Sequence, residues 1–269
     1  MKKTLIQGII TIALFFSTWF ILNQVDWMTF FNAHKVADRT EKKLGELFWD
    51  IYKKSEKENL NPFVVNTVDS IVSKICKKNG INKQQIKVHI FDNDETNAFA
   101  LLDGHLLIYS GLVLASDNQE ELSGVICHEL AHIQLNHVMK KLIKEVGLSV
   151  LISMTTGQDG TQIIKETAKL LSSSAFDRGL EKEADIKAIE YLINAKINPE
   201  PFANFLYKLS QDEHEAMKYL SWARTHPDSK ERAEYIITHT AKYYENRSSN
   251  YEQILSMNTW KTLKENLKK

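Results

Sequence analysis

The run His128-Glu129-Leu130-Ala131-His132 constrains this chain more than any other feature of it. Four positions are slightly more than one helical turn, so on a helix both imidazoles leave the same face and can grip one metal ion. Glu129 then stands beside them as a base for a water that attacks a peptide carbonyl. The flanking residues make the segment helical. Asp117-Asn118-Gln119-Glu120-Glu121 supplies a cap and an acidic first turn, and Leu122, Val125, Ile126, Leu130 and Ile133 follow at helical spacing. Two surface histidines on an amphipathic helix are the bland alternative, and a third ligand is what separates the two.

Catalytic zinc as a rule takes three protein ligands, and the segment Asp177-Arg178-Gly179-Leu180-Glu181-Lys182-Glu183-Ala184-Asp185 is the best source of the third. Glu181 is the expected ligand. One turn later Asp185 shares its face, close enough to hydrogen-bond a metal-bound imidazole and fix its tautomer, whereas Glu183 points elsewhere. Two neutral imidazoles and one carboxylate leave a net positive site that favours ionising a bound water. His137 falls one position off the register and is expected as a helix C-terminal cation or a surface residue. A metzincin would need Gly at 135 and His at 138, where Leu135 and Val138 stand, so that class is excluded. Cys127, about a hundred degrees round the helix from His128, is expected to face the core.

With H-E-L-A-H, the later E-K-E-A-D, Asn97-Ala98-Phe99-Ala100 before Gly104-His105-Leu106-Leu107-Ile108-Tyr109-Ser110-Gly111-Leu112, and Thr225-His226-Pro227-Asp228, the chain resembles a known family. It is similar to the membrane-associated gluzincin zinc metallopeptidases of the HtpX and CAAX-prenyl-endopeptidase type, closest in layout to single-domain BepA-like envelope proteases. The resemblance runs from about Ile86 to Arg232. It implies one zinc per chain on His128, His132 and Glu181, Glu129 as general base and Asp185 as partner of a ligand histidine. It places Arg178 at the arginine of the family's S-R-x-x-E element, as a supporting residue around the ligands with Asp185. It further implies that the strand Asn97, Ala98, Phe99, Ala100 pairs with an extended polypeptide substrate. His226 would either stabilise the oxyanion or cap the zinc in a resting form. The chain departs from the family in carrying Leu102-Asp103-Gly104 where Pro-Gly-Gly is usual, and Cys127 where a small residue is usual.

At 269 residues with 43% hydrophobic content, one substantial core is expected without help from disulfides, and Cys76 and Cys127 form no C-x-x-C pair. Lys plus Arg and Asp plus Glu are balanced at 34 each, which gives no electrostatic case for nucleic acid as a partner. Leu5 to Leu22 is apolar and nearly long enough, at about 1.5 Å per residue, for the roughly 30 Å of a bilayer core. Lys2 and Lys3 precede it, and Trp19, Asp26 and Trp27 lie near its outer end, which favours an uncleaved anchor with the rest of the chain outside. A cleaved signal peptide is the rival, against which stands the lack of a small-x-small cleavage site. In a bacterium the anchor would be a single inner-membrane pass with the catalytic domain on the extracytoplasmic side.

The expected fold is α+β, mainly α, with a small sheet or hairpin before the metal helix and one N-terminal transmembrane helix. Residues 1–27 form the anchor, 28–242 the metallopeptidase domain, and 243–269 a polar loop and a Lys-rich amphipathic helix. Within the domain, residues 32–60 read as a helix with Leu44, Leu47, Phe48, Ile51 and Tyr52 on one face. Asn61-Pro62 starts a second helix that runs to Asn79-Gly80, Lys87 to Phe91 is a strand, and a hairpin turns at Asp103-Gly104. Helices with breaks near Gly157 to Gly160, Asn198-Pro199 and Thr225 to Asp228 complete it. Val146 to Met154 is apolar but too short to cross a bilayer. His34, His89, His105, His214 and His239 lie outside the motif and are expected as surface or satisfied core histidines. The function expected is a zinc endopeptidase of the cell envelope. A membrane-tethered chaperone-like or scaffold protein with a structural zinc is the alternative, and nothing fixes the oligomeric state.

Overall fold

The computed structural model describes residues 33–156, 161–211, 222–244 and 250–268. The expected anchor at 1–27, the Gly157 to Gly160 break, His214 and most of the expected polar loop lie outside them. The chain divides into two units, residues 1–41 and residues 42–269. Among the described residues no helix is long and apolar enough to cross a membrane.

Helix α1 (Ala33–Ser55) carries Leu44, Phe48 and Tyr52 four residues apart, and all three are buried. Helix α2 (Pro62–Asn79) starts as its sequence requires: Asn61 accepts the Phe63 N–H on its side chain, and Pro62 opens the first turn. It ends at Gly80, whose φ of 65° lies in the left-handed region that closes helices at little cost for glycine. Strands β1 (Lys87–Phe91), β2 (Ala98–Ala100) and β3 (His105–Tyr109) form a sheet in the order β1-β3-β2. The expected hairpin is the β2–β3 pair, turned through Asp103 and Gly104 with φ of 57° and 70°. A parallel pairing of β1 with β3 completes the sheet, and it is a non-local contact with no turn signature to announce it. Gly104 is obligatory there for a second reason, since a Cβ at this position would lie 1.9 Å from the Gln85 carbonyl oxygen.

Successive side chains of a strand face opposite sides, and here both sides are covered. Ile90, Ala98, Leu106 and Ile108 join one apolar cluster, and Phe91, Phe99, Leu107 and Tyr109 join the other. The first cluster is built with α2, α4 (Gln119–Gln134), α8 (Arg178–Asn194), α9 (Glu200–Gln211), α10 (Ser229–Tyr244) and α11 (Met257–Leu267). The second draws on α1, α5 (His137–Glu145), α6 (Leu148–Thr156) and α7 (Thr161–Ser173). A short helix α3 (Ser110–Ala115) links β3 to α4. Within the apolar stretch around α6, Leu151 and Met154 are buried while Leu148 and Val150 stay partly exposed, the pattern of a helix lying on a core. Cys76 and Cys127 are both free and buried, Cys127 facing the core as expected.

The metal helix α4 is buried almost from end to end, because neighbours press on it from several sides. Gly124 lets α9 approach: a Cβ there would stand 2.4 Å from the Phe202 Cβ. Gly124→Val should therefore force α4 and α9 apart and cost about 1–3 kcal/mol of stability, measured by chemical denaturation.

On the adjacent strands β1 and β3, His89 and His105 are hydrogen-bonded to each other at 3.0 Å and stacked with Trp49. Glu58 accepts from His89 at 2.9 Å, while Lys87, itself paired with Asp103, faces His105. Burial, opposed in part by Glu58, pushes His89 below the usual imidazole range. Burial, with the charges of Lys87 and His89, pushes His105 down to about 4. Both rings are thus neutral in the fold, and an unfolded chain takes up protons first as pH falls below the ordinary imidazole value near 6.5. The expected result is a melting temperature that declines from pH 7 toward pH 4, with a shallower decline in a His89→Gln, His105→Asn double variant.

Candidate metal centre

Three separated stretches bring the site together. Asn118 caps α4 by accepting the Glu121 N–H at 2.9 Å, and the Glu121 carboxylate returns to the Asp117 N–H at 2.8 Å. Two turns on, His128 and His132 project from one face, their Nε2 atoms 2.9 Å apart. Glu181 sits in the first turn of α8, and His226 lies just beyond the helical residues 222–225.

The four side chains converge tightly. His226 Nδ1 lies 3.2 Å from His128 Nε2 and 2.9 Å from Glu181 Oε1. His132 Nε2 is 3.3 Å from Glu181 Oε1. All four donor groups lie within 4.8 Å of one another and are buried. A tetrahedron around zinc with bonds near 2.0–2.1 Å has donor–donor edges of about 3.3 Å, so three nitrogens and one carboxylate oxygen at these separations fit that ion. Glu181 Oε2 and His226 Nε2 are buried without an aligned hydrogen bond, although ion-pair partners stand close.

Behind the donors runs a layer of buried charge. His128 Nδ1 is 2.9 Å from Asp185 Oδ1, which leaves Nε2 as its outward-facing nitrogen. Arg232 grips Asp185 through two bonds of 2.8 Å, reaches Glu181 Oε2 at 2.8 Å and donates to the His226 carbonyl at 3.1 Å. Burial works against ionising Glu181, yet His226, Arg232 and His128 hold its carboxyl well below the usual range. Burial likewise opposes Asp185, and Arg232 and His128 keep it low. Burial is also overcome at His128, which Glu181 and Asp185 lift to about 9, whereas His132, dominated by burial, is pushed well down.

Glu129 lies beside the four-donor cluster, its Oε1 3.3 Å from His226 Nε2, and is anchored from outside it. Its Oε2 accepts the Ala100 N–H at 3.0 Å, and its Oε1 accepts the Trp222 indole N–H at 3.2 Å. Trp222 stacks on His226 at 4.4 Å, and Phe176 covers both His226 and His132. Lys141 closes this wall from behind. Buried, and pushed down to about 8 by that burial, it donates to the Ser174 carbonyl and lies 4.3 Å over the Phe176 ring.

The structure thus brings together His128, His132, Glu181, His226, Glu129 and Asp185, and sets the Asn97 to Ala100 strand against Glu129. Along β2, Asn97, Phe99 and Leu101 direct their backbone groups to β3, so those of Ala98 and Ala100 face the other edge. Arg178 is placed differently from the expectation. Its side chain is exposed and pairs with Asp228 at 2.8 Å, and the guanidinium among the carboxylates is that of Arg232, fifty-odd positions downstream on α10. His137 also departs from the expectation of a helix-end cation or surface residue. It opens a helix rather than ending one, is fully buried and contacts His132 at 3.0 Å. Glu183, expected to point elsewhere, does turn away from the four donors, toward His137. Sequence spacing had no means of finding Arg232, Trp222 or Phe176, whose approach depends on how α8, α10 and the 222–226 turn pack.

A buried H-E-x-x-H helix with a distant glutamate and a second, separately anchored carboxylate is the arrangement of the metallopeptidase class. The model of peptidase family M48 matches residues 64–239. Among curated proteins, the beta-barrel assembly-enhancing protease of Yersinia pestis is 24% identical over 218 residues, 74% of this chain and 45% of that one. Metalloprotease LoiP of Escherichia coli (strain K12) is 32% identical over 165 residues, 59% of this chain and 64% of that one. The mitochondrial metalloendopeptidase OMA1 of Bos taurus is 28% identical over 171 residues, 58% of this chain and 33% of that one. The chain belongs to peptidase family M48. It spans less than half of the first of these relatives and under two thirds of the second.

Removing the shared cation tests the energetics. Arg232→Met should leave two buried carboxylates with histidine partners alone and lower stability by about 3–5 kcal/mol in urea unfolding, and a loss below about 1 kcal/mol would contradict the ionised network.

Proposed function

We propose that the chain is a zinc-dependent endopeptidase of the cell envelope that cleaves unfolded or misassembled proteins in extended form. The observation that carries this is the division of labour among buried carboxylates: Glu181 Oε1 faces His132 and His226, while Glu129 is anchored by Ala100 and Trp222 at the edge of the cluster, near the outer nitrogen of His226. A purely structural zinc site has no use for the second. His128, His132 and Glu181 would hold a zinc ion, which would supply a Lewis acid for the scissile carbonyl and lower the pKa of an attacking water.

The rest is the work of the chain itself. The Ala100 N–H and the Trp222 indole fix the Glu129 carboxylate beside the donors, where it accepts the proton of the attacking water and returns it to the leaving amine. Asp185 keeps the His128 proton on Nδ1. A substrate strand would pair with the Ala98 N–H and carbonyl and the Ala100 carbonyl on the free edge of β2, the Ala100 N–H staying with Glu129, which would place its scissile carbonyl beside Glu129. Arg178, exposed and paired with Asp228, has no part in this scheme.

His226 Nδ1, close to both His128 and Glu181, would be a fourth donor to a zinc ion held there, in the place a water would need in a working site, and Phe176 packs over it. This arrangement favours the capping role over the oxyanion role and makes the described conformation a resting one. Four donors also suit a structural zinc, which keeps the chaperone-like alternative in play. The apolar stretch Leu5 to Leu22 behind Lys2 and Lys3 and the likeness to bacterial beta-barrel assembly-enhancing proteases support the envelope setting.

Two variants decide between these. Glu129→Gln should keep about one zinc per chain and lose casein hydrolysis by at least about 100-fold. His226→Ala should raise basal hydrolysis while zinc is retained. A fall in activity would assign His226 to the oxyanion, and full biological rescue by Glu129→Gln would favour the chaperone-like protein.

A further inference from the structure

We infer that His137 and Glu183 form a positioning pair that fixes the tautomer of His132 and thereby tightens its hold on zinc. The inference rests on the zinc site proposed above and assigns a role to two residues outside the donor set.

On an unbroken helix, five residues turn the side chain by about 140°, so His137 would face away from His132. The helix is broken. Helix α4 ends at Gln134, Leu135 caps it, and Asn136 takes φ 54° and ψ 34°, a left-handed conformation that asparagine tolerates better than most residues. That single kink starts α5 in a new direction and folds the His137 ring back, its centroid 5.0 Å from that of His132. The two Nδ1 atoms are 3.0 Å apart. His137 Nε2 then lies 3.2 Å from Glu183 Oε2.

Only one arrangement of protons satisfies this chain while leaving His132 Nε2 free to donate its lone pair. His132 carries its proton on Nδ1 and gives it to His137 Nδ1, which forces the His137 proton onto Nε2, where the Glu183 carboxylate accepts it. Each ligand histidine therefore has its own partner: His128 has Asp185, and His132 has His137 with Glu183. Both acidic members come from α8, the helix that carries Glu181, so one element supplies the third ligand and orients the other two. His137 is fully buried, whereas Glu183 is half exposed at 51%. The pair thus runs from the site to the surface, and its outer member can be altered without opening the core.

The test measures zinc affinity of the full chain by competition with a chromophoric chelator at fixed pH. His137→Phe, which keeps the ring and removes the acceptor, should weaken zinc binding about 10- to 100-fold. His137→Gln should recover much of the loss, because its amide oxygen can accept the His132 proton. Glu183→Leu should weaken binding by a smaller factor, with an unchanged circular dichroism spectrum. Wild-type affinity in Glu183→Leu overturns the pair whatever the His137 variants do, which keeps the test decisive if His137→Phe fails to fold. A wild-type chain that takes up no zinc removes the metal site itself, an outcome distinct from either variant result.

Discussion

The contact on which the rest of the site depends is the buried guanidinium of Arg232 between Asp185 and Glu181. Desolvating two carboxylates costs more than any single hydrogen bond returns, and such groups stay ionised inside a protein only when an opposite charge meets them with good geometry. Arg232 provides that for both at once, bidentate to Asp185 and in ion-pair contact with Glu181. An ionised Asp185 in turn orients His128, and an ionised Glu181 can face a cation. The backbone of His226 is tied to the same guanidinium, so the fourth donor is positioned by the charge that stabilises the third.

The sheet has a related economy. Being covered on both faces, it is a rigid plate rather than a surface strand pair, and its β2 edge brings a backbone N–H to Glu129. A carboxylate anchored by a backbone donor and an indole is preorganised before any substrate arrives. The aromatic side chains Trp222 and Phe176 enclose the donors, and in a dry enclosure each charge acts more strongly than it would in water. Exclusion of water and access for a polypeptide are opposed requirements, which is why the proposed scheme separates a resting form with His226 among the donors from a working one.

Much of this was legible in the sequence. The cap at Asn118, the helix that follows it, the Asn61-Pro62 start, the hairpin at Asp103-Gly104 and the pairing of Glu181 with Asp185 one turn apart all follow from local rules. Residues fewer than five apart on one element have a relative position set by helical or strand geometry, so their spacing is a structural statement in itself. His137 marks the limit of that logic. Its distance from His132 exceeds one turn, and the left-handed Asn136 between them voids the register that a continuous helix would impose.

Sequence alone determined the metal helix, its chemical class and which carboxylate could serve as the third donor, because each is a matter of residue type at short separation. Only the tertiary structure decided that Arg232 rather than Arg178 sits among the carboxylates, that β1 runs parallel to β3, that His226 stands within reach of both His128 and Glu181, and that His137 folds back onto His132. Those contacts join residues far apart along the chain or across a helix break. Their distances are set by how the helices and the sheet pack, a quantity that no local spacing encodes.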